Sequence, residues 1–188
     1  MFSVWKLLEL FRLPSAEKYP EVYLDIQIGE ELAGRLVISL YTDICPKTCH
    51  NFLQLCKGGQ FTREGKPLCY KGVHIHRVVS DYYLCGGDII NNNGTSGESI
   101  YGQSFPDENF VLKHDRPGRI SMLNFKNGTN NSQFTIILRP LPSMDGQYTV
   151  FGQVTQGFEL LSKLSQVGSE TGIPLTPVKI YNCGVFKP

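Results

Sequence analysis

An arginine set among valines and isoleucines needs a physical reason. In VHIHRVV (residues 73–79), strand alternation puts Val73, Ile75, Arg77 and Val79 on one face and His74, His76 and Val78 on the other. Burying an unpaired guanidinium is costly. Two readings are open. Arg77 is either a rim residue, its stem over apolar surface or its head paired with an acid such as Asp88, or a cation held in a largely apolar groove. His74 and His76 suit a metal by type, but two histidines without a third ligand make a weak site, and no metal is expected. In NGTNNSQFTIIL, Gln133, Thr135 and Ile137 share one face, which reads as a surface or a groove floor, while Phe134, Ile136 and Leu138 face the core. The GGD at 86–88 and the run NNNGTSGES are turn material. Neither forms a phosphate-binding loop, and there is no GxSxG elbow or HExxH pair.

The elements that must position these residues read as mostly β. EVYLDIQI puts Val22, Leu24, Ile26 and Ile28 on one face; Gly29 turns the chain, and LAGRLVISLY returns it as a hairpin. Pro46 suits a first helical turn, and Cys49, Phe52, Leu53 and Cys56 follow as an apolar stripe. A second helix is expected near 157–167, lined by Leu160, Leu161, Leu164 and Val167, and PVKIYNCGVF reads as a closing strand. Short runs between Gly, Asn and Pro clusters fill the middle, so the fold class is an all-β barrel or sandwich with two isolated helices. Residues 1–19 differ. Val4, Leu7, Leu8 and Phe11 recur at helical spacing beside Trp5, predicting an amphipathic extension ahead of a domain at 20–188. That extension packs on its own domain, docks a partner or membrane surface, or stays disordered.

Composition narrows the classes of function. The chain has 188 residues, 41% hydrophobic and 19% charged, enough to build a core and too apolar for a disordered chain. Lys and Arg number 18 against 17 acids, a net charge of +1 that argues against a nucleic-acid clamp. No apolar run approaches about 18 residues, so no transmembrane segment is expected. Six cysteines without a CxxC pair read as free thiols in a reducing compartment, cytoplasmic or nuclear. Cys85 is expected to react first. Sequons at Asn93, Asn127 and Asn130 would matter only in a secreted protein.

Ordered motifs carry a sharper identification. DICPKTCHNF, LCYKG, HRVV, GGD, NGTSGESIYG, DENF, NNSQF, MDGQYTVFG and NCGV follow one another through residues 20–188. In these the chain resembles the cyclophilin family of peptidyl-prolyl cis-trans isomerases, with GQFTREGKP standing as the divergent loop of its longer-loop members. The resemblance implies an eight-stranded antiparallel β-barrel capped by two helices. It places Arg77 on the catalytic arginine and Asn124 and Gln133 on residues that orient substrate, with no cofactor. The implied partner is a proline-containing peptide or protein client, bound by a monomer, and the N-terminal helix adds a possible protein partner.

The same comparison shows a rewritten pocket. Tyr82 stands for the family's Phe, Tyr83 for Met, Cys85 for Gln, and Leu123 for a small Ala. Thr135 stands for the Phe that floors the proline slot, Ser143 for the Trp associated with cyclosporin, Met144 for Leu, and Tyr148 for His. Arg77, Gln133 and Asn124 favour an isomerase of reduced or shifted activity, insensitive to cyclosporin. Thr135, Ser143 and Cys85 favour a binding module that holds proline peptides without efficient turnover. The balance lies with the enzyme.

Overall fold

The computed structural model of the chain describes residues 19–124 and 128–187. The expected N-terminal helix, and Asn127 of one sequon, lie outside the described residues.

The first hairpin follows the alternation. Strands β1 (Glu21–Ile28) and β2 (Glu31–Leu40) pair across Gly29 and Glu30, with Gly29 at φ +58° as a two-residue turn demands. Val22, Leu24 and Ile26 are buried. Register shifts on both sides of Ile26 then reverse the phase, so Gln27 turns inward and Ile28 is only half-buried, contrary to the even alternation. The Gln27 amide is satisfied by donating to the Gly29 carbonyl at 2.7 Å.

A helix at Pro46–Lys57 follows, opened by Pro46 as expected. The Glu108 carboxylate caps it, accepting from the Lys47 and Thr48 amides at 3.0 and 2.9 Å. Its buried side is Cys49, Phe52, Leu55 and Cys56, with Thr48 and Asn51 beside them. Leu53 is half-buried and Leu55 takes the place expected for it, a rotation of the predicted stripe.

The short strands come next: β3 (Gln60–Phe61), β4 (Pro67–Leu68), β5 (Arg77–Val79), β6 (Tyr83–Gly86), β7 (Phe105–Pro106), β8 (Arg119–Met122), β9 (Thr129–Asn130) and β10 (Phe134–Ile137). After a 3-10 turn at Pro142–Met144 come β11 (Val150–Gln156), the helix Phe158–Gln166 and β12 (Val178–Phe186). Leu160, Leu161 and Leu164 bury that helix as its spacing predicts.

Eight strands form one antiparallel sheet in the order β12-β1-β2-β11-β8-β10-β6-β5. The sheet curls until its two edges meet. The Ile75 amide donates to the Val178 carbonyl at 3.0 Å and the Ile180 amide to the Val73 carbonyl at 2.8 Å. Phe52, Tyr70, Phe134 and Phe151 meet inside, Phe52 touching the other three rings at centroid distances of 5.0 to 5.4 Å. The Tyr70 hydroxyl reaches the Ser132 carbonyl at 2.7 Å, so its polar tip is satisfied. No helix of the described residues is long and apolar enough to cross a membrane.

Candidate functional site

Pairing across four strands makes a row on the outer face of the sheet. Ser121 of β8 stands opposite Thr135 of β10, Thr135 opposite Cys85 of β6, and Cys85 opposite Arg77 of β5. Residues directly opposite share a face, so a hydroxyl, a hydroxyl, a thiol and a guanidinium lie in line. A groove of about 610 Å³ opens over this row.

Arg77 does not lie among the valines as alternation predicts. Val73 and Ile75 are buried, but so is Val78, while Arg77 is exposed. The phase breaks at His76, where the chain leaves its bridge with β12 and enters β5. The guanidinium therefore meets solvent and the groove, with no burial penalty to offset. Asp88 is not its partner. That fully buried carboxylate accepts the backbone amides of Ile90, Asn91, Asn93, Gly94, Thr95 and Ser96 at 2.9 to 3.2 Å. Burial pushes the Asp88 carboxyl up, but these donors together hold it below its ordinary value. Its work is to shape the loop that presents Asn93 and Gly94 to the groove.

Two contacts fix the Arg77 head instead. Its Nε donates to the Tyr83 hydroxyl at 3.4 Å. Its other side lies on the backbone of Gly172, where a Cβ would fall 2.8 Å from Cζ. Gly172 has φ +84°, so space and backbone both require glycine there. Among the described residues Arg77 forms no ion pair.

The floor is polar and tight. Cys85 Sγ and Thr135 Oγ1 lie 3.5 Å apart, both buried. Burial pushes the Cys85 thiol up to about 11, against the Thr135 hydrogen bond and the Arg77 charge. At neutral pH it stays protonated and is no nucleophile. Beside it the Ser121 hydroxyl is buried with no partner among the described residues.

Of the residues expected at the site, Arg77, Tyr83, Cys85, Leu123, Thr135, Met144 and Tyr148 line this groove together. Tyr82, Asn124, Gln133 and Ser143 do not. Tyr82 turns outward under the Arg139 guanidinium, 3.6 Å from its ring centre. Asn124 donates to the Gln147 carbonyl at 2.6 Å, tying the chain after β8 to the turn that carries Met144 and Tyr148. Gln133 is buried, its Nε2 on the Ser96 carbonyl at 2.5 Å and its Oε1 without a partner among the described residues. Ser143 is exposed on the 3-10 turn.

The lining also holds His76, Asn93, Gly94, Gly172 and Ile173, none of which sequence reasoning placed there. The His76 ring packs on Gly94, and burial lowers its pKa against the opposing Asp88 charge. Its Nδ1 has no partner among the described residues. The opposite wall is held from beneath. His114, fully buried, sets Nδ1 2.9 Å from Asp145 Oδ1, and its amide donates to the same oxygen at 2.8 Å. This clamp fixes the segment bearing Met144 and Tyr148. A second cavity, near 590 Å³, lies between Ser80, Asp81 and the Phe158 helix, but its carboxylate, Asp81, already accepts from Ser165 at 3.0 Å. The row beneath Arg77 is the better-equipped site.

Thiols and sequons are now placed. None of the six cysteines is in a disulfide. Cys45, Cys49 and Cys56 are buried as their spacing suggested. Asn130 is buried, with Nδ2 on Asp107 at 2.8 Å, and has no room for a glycan.

A family model described as cyclophilin type peptidyl-prolyl cis-trans isomerase matches residues 23–185. Among curated proteins, the NK-tumor recognition proteins of Mus musculus and Homo sapiens are each 46% identical over 174 residues, covering 91% of this chain. The match takes in 12% of each relative, so the chain spans only a small part of their length.

Proposed function

Because this chain belongs to the cyclophilin family of peptidyl-prolyl cis-trans isomerases, we propose that its groove isomerises X–Pro bonds, with reduced or shifted activity. Amide resonance holds such a bond planar with a barrier of about 18–20 kcal/mol. A donor aimed at the prolyl nitrogen localises its lone pair and weakens that resonance. Each 1.36 kcal/mol removed is about tenfold in rate. Arg77 supplies the donor. Its guanidinium is held by the Gly172 backbone and the Tyr83 hydroxyl and has no carboxylate competing for it among the described residues. That held, unpaired cation at the edge of a groove is the observation that carries the reading. The proline ring would lie against Tyr83, Leu123 and Met144 over Thr135, while Arg77 acts without a cofactor or covalent intermediate.

The floor supports a second reading. Thr135 and Cys85 offer a hydroxyl and a thiol where a proline ring gains most from apolar contact. The lost contact amounts to about 1–3 kcal/mol. A module that binds proline peptides weakly and turns them over poorly fits that floor. In the same proposal cyclosporin binds poorly, because Ser143 stands exposed where the family carries an indole. The six unpaired thiols fit a reducing compartment.

Exchange NMR on a proline tetrapeptide, with the unmodified protein beside Arg77→Ala, tests the assignment. The substitution is expected to lower the catalysed rate about a hundredfold while leaving the melting temperature in place. Equal rates for the two proteins overturn the role of Arg77.

A further inference from the structure

The groove has a second end that isomerisation at Arg77 does not use. The loop after the Phe158 helix returns to the open edge of β5. There the Val78 amide donates to the Gly172 carbonyl at 2.8 Å and the Ser169 amide to the Val78 carbonyl at 3.2 Å. Within the loop the Gly172 amide reaches the Ser169 carbonyl at 3.1 Å. The Ser169 hydroxyl donates to the carbonyl of Ile173 at 2.7 Å, and the Leu175 amide to Val167 at 2.8 Å. Hydrogen bonds thus hold the backbone on both sides of Ile173.

The residue is nevertheless 71% exposed. Leu175, two residues on, is exposed as well, and exposure alone needs no explanation. Ile173 differs by position, because it lines the groove directly after the glycine on which the Arg77 guanidinium rests. Among the described residues no carboxylate lines the groove, and at this end Ile173 offers apolar contact.

We propose that Ile173 is a specificity-determining residue, forming an apolar subsite for a side chain three or four residues away from the proline of a bound peptide. The inference rests on the proposed proline-binding role of the groove. The spacing follows from the sheet. Adjacent strands lie about 4.8 Å apart, so passing from Thr135 on β10 over β6 to Arg77 on β5 covers roughly 10 Å. Ile173 stands beyond that, at the edge of β5. An extended peptide advances about 3.3–3.6 Å per residue. A proline ring over Thr135 therefore brings the third or fourth residue on one side to Ile173. An aliphatic side chain there covers the isoleucine; an alanine does not reach it.

The test uses proline peptides differing only in Ala or Leu at the third and fourth positions on either side of the proline. Values of kcat/KM are measured by exchange NMR for the unmodified protein, Ile173→Ser and Ile173→Leu. At one of these positions the unmodified protein is expected to prefer Leu over Ala by about five- to tenfold, as burial of three methyl-sized groups at a half-open rim allows. Ile173→Ser brings that ratio close to one, and Ile173→Leu keeps it. No preference at any position, or a ratio unchanged by Ile173→Ser, overturns the proposal. If the Ala peptides bind without turnover, the isomerase reading fails separately, and the same ratios taken from Kd decide the subsite by the same outcomes.

Discussion

The two faces of β10 differ in how much their neighbours dictate. Inward, Phe134 meets Phe52 and Tyr70 at 5.4 Å and Ile136 completes the packing. Outward, Thr135 meets Cys85 on one side and stands opposite Ser121 on the other before the groove opens. A ring in the barrel is fixed by its contacts on every side, so the interior keeps large aromatics. The groove floor is buried too, but beyond Thr135 and Cys85 lies the groove and not a further layer of rings, so a small polar pair can occupy it while the barrel stands. The fold and the pocket therefore vary separately, and a barrel of this family says less about turnover than the row above it does.

Phe134→Ala should separate the two faces most sharply. Removing a fully buried ring should lower stability by about 3–5 kcal/mol, read from denaturant midpoints. A loss below about 1 kcal/mol would mean the interior is as permissive as the groove.

Thr135→Phe addresses the other face. Restoring an apolar floor should tighten binding of a proline peptide about tenfold by calorimetry, with the melting temperature unchanged. Weaker binding with a lower melting temperature would show that the floor is as constrained as the core.

The wall behind the groove carries a pH dependence of defined sign. Burial holds His114 below its ordinary value, and the nearby Arg119 and Lys113 charges add to this, against the pull of Asp145. Below about pH 6.5 the unfolded chain takes up a proton that folded His114 refuses. Stability therefore falls as pH drops from about 6.5 toward the depressed folded value, by at most about 1.4 kcal/mol per pH unit for one proton. His76, also lowered by burial, adds the same sign. Denaturant midpoints at pH 7.5 and 5.5 check it, and His114→Gln should flatten the slope. A slope that His114→Gln leaves unchanged would assign the pH dependence to other groups.

Thiol labelling gives the smallest signal. Cys69, half-exposed, is held below its ordinary value by its contact with Cys183 at 3.9 Å, with the Lys71 amide assisting. Cys85 is buried and shifted upward. Alkylation of the native protein followed by peptide mapping should find Cys69 first, rather than the Cys85 that its groove position suggested. Early labelling of Cys85 would mean the floor opens.

What the sequence made legible follows the same division. The β1 alternation, the Pro46 helix start and the Leu160, Leu161 and Leu164 stripe were readable because burial on one face imposes a period. The misplacements came where that period breaks, at the register shifts around Ile26 and at His76, which took Arg77 off the apolar face. The motifs located the groove residues Arg77, Cys85 and Thr135, but Tyr82 turns out under Arg139 and Gln133 spends its amide on the Ser96 carbonyl. Gly172 and Ile173 were invisible because a loop's return to a strand edge is set by backbone hydrogen bonds, which leave no periodic trace.

The central claim is that this groove still turns over what it binds, despite its polar floor. Magnetisation exchange between the cis and trans signals of one proline tetrapeptide, at a concentration where calorimetry shows it bound to the unmodified protein, tests that most directly. The account expects exchange faster than the uncatalysed interconversion, which takes tens to hundreds of seconds, and rising in proportion to protein. Saturable binding with exchange no faster than in buffer would contradict it and leave the chain a proline-peptide binding module.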